Sequence, residues 1–194
     1  ANFGNTITIT IEKTATLITD MYMEFNLPPV AGTGGVDSSN APVGDGVGNA
    51  NGIVSKFKGY ADWVNAVGYA IIDEVELVID GNTIDKHTGL WYDIWNELTD
   101  PNRREWPLVG KRLENSDFLP GITDTTTRYY VPLKFFFNRN PGLALPIFVI
   151  NENKIKVRIT FKSLLSLITF NVKSDTTIDT SKSMSNFKFF TTYI

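Results

Sequence analysis

Residues 154–162 read KIKVRITFK, a stretch in which polar and apolar side chains alternate without interruption. The apolar set is Ile155, Val157, Ile159 and Phe161, and the basic set is Lys154, Lys156, Arg158 and Lys162. Because successive side chains of a β-strand point to opposite faces of the sheet, this period of two predicts a strand with one face in a core and the other in solvent.

Other parts of the chain have the same character. In NTITITI (5–11), isoleucines alternate with threonines along the whole stretch. Further strand-like stretches cover residues 17–28, 71–80, 83–87, 129–137, 144–150, 164–172 and 185–194. About eight strands at this spacing predict an all-β, antiparallel sandwich.

Two local irregularities are predicted in the stretch IIDEVELVID and just after it. The alternation slips between Ile72 and Val75, which is typical of a β-bulge. The Gly81–Asn82 pair then favours a tight turn into the next strand.

One segment, HTGLWYDIWNELTDP (87–101), has the spacing of a helix instead. Its apolar side chains recur every three or four residues: Leu90, Trp91, Ile94, Trp95 and Leu98. Thr88 is a suitable N-cap, and Pro101 is expected to end the helix. We therefore predict one short amphipathic helix, with its apolar stripe buried as a lid on one end of the sandwich, rather than a binding helix.

Residues 31–52 are rich in Gly, Ser and Asn and contain almost no bulky side chain. Such a segment cannot contribute to a core, so we predict a long surface loop at one end of the sandwich.

The composition leaves few routes to catalysis or metal binding. The chain contains no cysteine and a single histidine, His87, so thiolate zinc sites, a cysteine nucleophile and a histidine metal cluster are excluded. The formal net charge of −3 provides no global basic field for nucleic acid. No apolar run approaches the ~20 residues of a membrane helix. We expect no catalytic, cofactor-binding or metal-binding residues.

Two carboxylates, Glu74 and Glu76, share one face of their predicted strand and could serve a sandwich glycosidase. The basic face of 154–162 offers the simpler explanation, since cross-strand or intersubunit ion pairs would satisfy both stripes. A carbohydrate-binding module is a second alternative, for which Trp106 is the best exposed candidate.

Three segments together resemble the N-terminal half of the major capsid protein of nucleocytoplasmic large DNA viruses. They are GNTITITIEKTATLITDMYMEFNLP (4–28), WVNAVGYAIIDEVELVIDGNTIDKHTGLWYDIWNELT (63–99) and YYVPLKFFFNRNPGLALPIFVINENKIKVRITF (129–161). The resemblance implies an eight-stranded antiparallel jelly roll over residues 1–194, the first of two in the full-length protein. We expect the chain to be a segment of that longer protein.

The resemblance also implies a structural role without enzymatic activity. Three copies would form a pseudo-hexagonal capsomer that tiles an icosahedral shell and contacts neighbouring capsomers and minor capsid proteins. It would touch no nucleic acid directly, and an internal viral membrane would lie nearby without being entered. The location that the resemblance implies is the virion, assembled in the host cell cytoplasm. The candidate interface residues are Phe136, Glu74, Glu76, Lys154, Lys156 and Arg158.

Overall fold

The computed structural model describes residues 1–30, 35–36, 42–43, 54–56, 59–112, 126–150, 154–172, 177–178 and 181–194. The strands in these ranges are β1 (Thr6–Thr10), β2 (Leu17–Leu27), β3 (Gly35–Val36), β4 (Pro42–Val43), β5 (Val54–Lys56), β6 (Gly59–Trp63), β7 (Ile72–Ile79), β8 (Asn82–His87), β9 (Thr127–Pro132), β10 (Leu145–Pro146), β11 (Ile155–Phe161), β12 (Ile168–Val172), β13 (Thr177–Ile178) and β14 (Ser185–Tyr193). The α-helices are α1 (Val67–Ala70), α2 (Gly89–Thr99) and α3 (Trp106–Val109), and 3₁₀ turns cover Pro141–Leu143, Ile147–Val149 and Leu164–Leu167.

Four strands form sheet A, in the order β1-β11-β7-β8, and every neighbouring pair is antiparallel. The predicted alternation in β11 is confirmed, since its isoleucine, valine and phenylalanine side chains are buried while Lys156 and Arg158 are exposed. The register places Val157 between Ile9 and Leu77 on the inner face. Sheet A therefore has one apolar and one polar face, as the period of two requires.

Sheet B is built around the long strand β2. Strand β14 pairs with one edge of β2, and β9 and β10 pair with different parts of the other edge. The inner faces of the two sheets contribute to one core, in which Phe161 of β11 meets Phe187 of β14 with ring centroids 6.0 Å apart. The architecture is a sandwich of antiparallel sheets, as predicted.

The bulge in β7 is confirmed, because the register between β11 and β7 shifts beside Phe161, which pairs with Ile72. The hairpin turn after β7 is one residue earlier than predicted. Asp80 and Gly81 both have positive φ, 51° and 86°, as a two-residue turn with the twist of a hairpin requires. Asn82 already belongs to β8.

The predicted counts of about eight strands and one helix are not reproduced. The described residues contain 14 strands and three α-helices, and several of the additional strands are only two residues long. The predicted surface loop at 31–52 lies outside the described residues, apart from β3 and β4, which pair with each other.

The prediction of one strand over 129–137 is wrong for its second half. Strand β9 ends at Pro132, and Phe135–Phe137 lie in a turn. The Asn138 side chain makes this turn, since its Oδ1 accepts from the Phe135 N–H and its Nδ2 donates to the Thr19 carbonyl. The Asn138 side chain here supplies hydrogen-bond partners that a neighbouring strand would otherwise provide to the backbone.

The stretch 144–150 is also largely not a strand. Only Leu145–Pro146 pairs with β2, and Ile147–Val149 form a 3₁₀ turn. Pro146 cannot donate to a ladder, which explains why the pairing is short.

Candidate assembly surfaces

The outer face of sheet A carries a set of cross-strand ion pairs. Arg158 Nη1 lies 3.0 Å from Glu76 Oε2, and Lys154 Nζ lies 2.6 Å from Asp80 Oδ1. Lys86 Nζ lies 2.7 Å from Glu74 Oε2, and this hydrogen bond raises the pKa of Lys86. Acidic β7 thus lies between two strands that supply cations, β11 and β8.

These contacts show that Glu74 and Glu76 take part in ion pairs on the sheet surface. Glu74 and Glu76 both interact with Lys86, and neither lines the cleft of about 560 Å³ beside Glu105 and Lys134. The geometry is that of a charged solvent-facing sheet rather than a glycosidase site. Among the predicted interface residues, Lys156 is exposed and has no carboxylate partner in the described part of the chain.

Phe136 is only partly buried, whereas Phe135 and Phe137 are fully buried. Phe135 and Phe137 thus belong to the core, and Phe136 lies at its edge. The Phe136 N–H donates to Asp85 Oδ2 at 3.1 Å, and the ring meets Phe137 edge to face. An interface role for Phe136 stays a prediction.

The outer face of sheet B differs from that of sheet A. Tyr22 of β2 and Phe190 of β14 stack with ring centroids 4.7 Å apart. Beside them, the buried Glu24 lies between Lys188, at 3.5 Å, and Arg128, at 3.7 Å. The sequence gives only a weak signal for this trio, because its members come from three separate strands.

Helix α2 begins and ends as predicted, but only part of its predicted apolar stripe faces the core. Thr88 Oγ1 accepts from the Trp91 N–H, as an N-cap does. Leu90, Ile94 and Leu98 are 67%, 52% and 77% exposed, so the burial predicted for them is wrong. The other two residues of the predicted stripe, Trp91 and Trp95, are partly buried, and Trp91 packs against the core. The buried residues of the helix are Gly89, Tyr92 and Asn96.

A polar cluster explains why the more polar side of α2 faces inward. Glu105, at the start of α3, accepts from the Tyr69 hydroxyl at 2.8 Å and from Asn96 Nδ2 at 3.1 Å, and it pairs with Lys134 Nζ. Burial raises the pKa of Tyr69, and the Glu105 carboxylate raises it further. These bonds satisfy polar groups that would otherwise be costly to bury.

A cleft of about 560 Å³ borders this cluster and is lined in part by Tyr22, Tyr130, Glu105 and Lys134. Its Lys134 and Glu105 are already paired with each other, and Asp20 also lines it. The described residues contain no group of three or more His, Asp or Glu side chains arranged to hold a metal ion.

His87 lies in a column of stacked rings that fixes α2 to the core. Its ring is sandwiched between Phe135 and Trp91, and Trp91 stacks in turn on Trp95. Nε2 donates to Asp85 Oδ1 at 3.0 Å, and the buried Nδ1 has no partner. Burial lowers the pKa of His87; Asp85 opposes this effect and Arg139 adds to it. The geometry is that of a packed structural histidine.

The tryptophans do not form an exposed sugar-binding platform. Trp63 is buried and the other three are partly buried. Trp106, the best sequence candidate, has Arg103 and Lys111 over its ring at 4.6 and 5.0 Å. No helix in the described ranges is long and apolar enough to cross a membrane.

The family model described as the major capsid protein N-terminus matches residues 1–194, the whole chain. The chain belongs to this capsid protein family. The recognition drawn from the three sequence segments is thereby confirmed.

Individual relatives agree with this assignment. A probable capsid protein 4 of Acanthamoeba polyphaga mimivirus is 33% identical over 164 residues, covering 84% of this chain and 28% of the relative. The major capsid protein of Paramecium bursaria Chlorella virus 1 is 28% identical over 174 residues, covering 89% and 32%. The chain thus spans about a third of the length of these capsid proteins. They give no support to the carbohydrate-binding alternative.

Solved capsid structures share the fold. A quasi-atomic model of the PBCV-1 virus capsid superposes with a TM-score of 0.67 at 24% identity, covering all of this chain and 38% of that one. The Faustovirus major capsid protein gives 0.69 at 14% identity, covering 98% and 51%. The mostly β, antiparallel fold predicted from the sequence is therefore shared with solved capsid proteins.

Proposed function

We propose that this chain is a jelly-roll building block of a viral capsid, and the first of two such domains in its full-length protein. The observation that carries the proposal is the family match along all 194 residues. The length of the relatives, about three times that of the segment they share with this chain, supports a larger subunit. Membership of a structural family also points to a role without catalysis.

In this proposal three full-length copies form a pseudo-hexagonal capsomer, and capsomers tile an icosahedral shell together with minor capsid proteins. The protein resides in the virion after assembly in the host cytoplasm. It lies near an internal membrane without entering it and does not contact nucleic acid directly. The net charge of −3 supports the last point, because nucleic acid attracts basic surfaces.

The outer face of sheet A is polar, which supports the proposal that this face lies in solvent or at the polar rim of a subunit contact. Its ion pairs are already formed within the chain. Interface cores are depleted in charged residues, whereas rims are polar. We therefore place Glu74, Glu76, Lys154, Lys156 and Arg158 at a rim, and Phe136 remains the apolar candidate of the set.

The oligomeric mass of the full-length protein tests the proposal. Light scattering on the purified protein is expected to give three times the mass of one chain. A stable single copy at micromolar concentration would contradict the proposal, because an obligate capsomer interface buries ~2,000 Å² or more.

A further inference from the structure

Helix α2 presents an apolar stripe that nothing in the described part of the chain covers. Leu90, Ile94 and Leu98 follow one another at intervals of four residues, so they lie along one side of the helix. All three side chains are more than half exposed, while Tyr92 and Asn96 hold the opposite side in the core. A stripe of this kind on a soluble protein marks a contact surface.

The two flanks of the stripe carry opposite charge. At 3.6 residues per turn, Trp91 and Trp95 border the stripe on one side, and Asp93 and Glu97 border it on the other. Arg139 lies over the two tryptophan rings, 5.5 and 5.0 Å from their centroids. No carboxylate of the described residues forms an ion pair with Arg139.

The opposite flank is acidic. Asp93 and Glu97 share a single cation, Lys111, whose Nζ lies 2.7 and 2.5 Å from their oxygens. Burial alone would lower the pKa of Lys111, but its hydrogen bonds to Asp93 and Glu97 raise it. Two carboxylates and one ammonium leave this flank with a net charge of about −1, against about +1 at Arg139.

We infer that the exposed stripe of α2 packs against the same stripe of a second copy of this chain, with the two helices parallel. A rotation axis that runs alongside the helix brings Leu90, Ile94 and Leu98 of both copies together. The same operation places the Arg139 flank of one copy beside the acidic flank of the next. An antiparallel pairing would instead set like charges side by side.

The stripe is too small to form a standard subunit interface by itself. Even large aromatic side chains bury only ~150–250 Å² each, so three aliphatic side chains fall short of the ~800 Å² per partner of a standard interface. The helix contact is therefore one part of a larger subunit interface. In this respect the inference rests on the proposed assembly of identical subunits.

Disulfide crosslinking tests the contact, because this chain contains no cysteine. Full-length protein with Ile94→Cys is oxidised and run on a denaturing gel, with the unsubstituted protein as baseline. We expect a covalent dimer for Ile94→Cys, whose side chain lies at the centre of the stripe. Ile84→Cys is the matched control, since Ile84 is also 52% exposed but lies on β8 rather than on α2.

Exchanging charged residues in the Ile94→Cys background tests whether the two copies of α2 are parallel. Arg139→Glu or Glu97→Arg alone is expected to lower the crosslinked fraction severalfold, and the two together are expected to restore it. Failure of the double exchange to restore crosslinking would overturn the parallel arrangement.

Light scattering on the same samples separates this inference from the proposed function. A multimeric protein whose Ile94→Cys variant does not crosslink above baseline refutes the helix contact and leaves the capsid proposal standing. A single-copy mass without crosslinking refutes both.

Discussion

The rings of His87 and Trp91 lie face to face, with centroids 3.9 Å apart and planes only 6° from parallel. The contact joins the last residue of β8 to the first turn of α2, so this aromatic pair helps to hold the helix against sheet A. Phe135 stacks on the other side of the imidazole and continues the column into the core. The stability of this column therefore depends on the charge state of His87.

Acid should weaken the fold through His87. The folded state lowers the pKa of His87 from its ordinary value of 6.5, chiefly by burial, so the unfolded chain takes up the proton at higher pH than the folded chain. This contribution to stability is complete above pH 6.5 and is lost as pH falls from there towards the lowered pKa. The measurement is the free energy of unfolding in urea at several pH values between 7.5 and 5.

His87→Phe is the matched variant, since it keeps an aromatic ring in the stack and cannot titrate. Wild-type protein should lose more stability than this variant over the same pH interval. Equal losses would show that His87 does not carry the pH dependence.

Removal of the Glu105 carboxylate should destabilise the whole helical end of the sandwich. Glu105→Ala leaves the Tyr69 hydroxyl, the Asn96 amide and the Lys134 ammonium without their shared acceptor. We expect a loss of about 2–3 kcal/mol in the free energy of unfolding. Glu74→Ala serves as control, because the Glu74 side chain is 42% exposed and its ion-pair partner among the described residues is Lys86. This variant should cost less than about 1 kcal/mol. Similar losses in the two variants would contradict the buried cluster.

The cross-strand pair of Arg158 and Glu76 should contribute little. The guanidinium is about half exposed, and Lys86 also lies 3.8 Å from Glu76. A double-mutant cycle with Arg158→Ala and Glu76→Gln should give a coupling free energy of about 0.2–1 kcal/mol. A coupling of several kcal/mol would mean that this face is far less solvated than its geometry indicates.

Gly89 should not tolerate a larger residue. A Cβ at this position would lie 2.1 Å from the Tyr69 carbonyl oxygen and 2.6 Å from that of Ile72, both of them backbone atoms. Gly89→Ala should therefore cost about 3 kcal/mol or more, at or above the upper end of ordinary overpacking. In Gly142→Ala the nearest atom is the Asn140 side-chain oxygen, at 3.3 Å, so thermal denaturation should show a much smaller loss. Equal melting temperatures for Gly89→Ala and Gly142→Ala would argue against the close approach of α1 and α2.

Alternation was sufficient to predict the strands that have one face in the core. Strand β11 follows the pattern residue by residue. The charge stripes of β11 and β7 left cross-strand and intersubunit ion pairs open, and the structure shows a cross-strand pair between Arg158 and Glu76. The bulge beside Ile72 followed from the same rule, since one extra residue shifts the faces.

The orientation of α2 could not be predicted in the same way. Leu90, Ile94 and Leu98 face outward because the opposite side of the helix is held inside by Tyr92, which stacks on Tyr69 and accepts from the Lys134 N–H, 42 residues along the chain. The turn at Phe135 likewise depends on the Asn138 side chain reaching the Thr19 carbonyl. Long-range polar contacts of this kind leave no periodic signal, so hydrophobic spacing alone misplaces the elements they hold.

Electron microscopy of the purified full-length protein tests the central claim most directly. If three subunits with two sandwich domains each form the particle, class averages viewed down its axis should show a six-cornered outline with threefold symmetry. Compact, asymmetric particles of single-subunit size would contradict it.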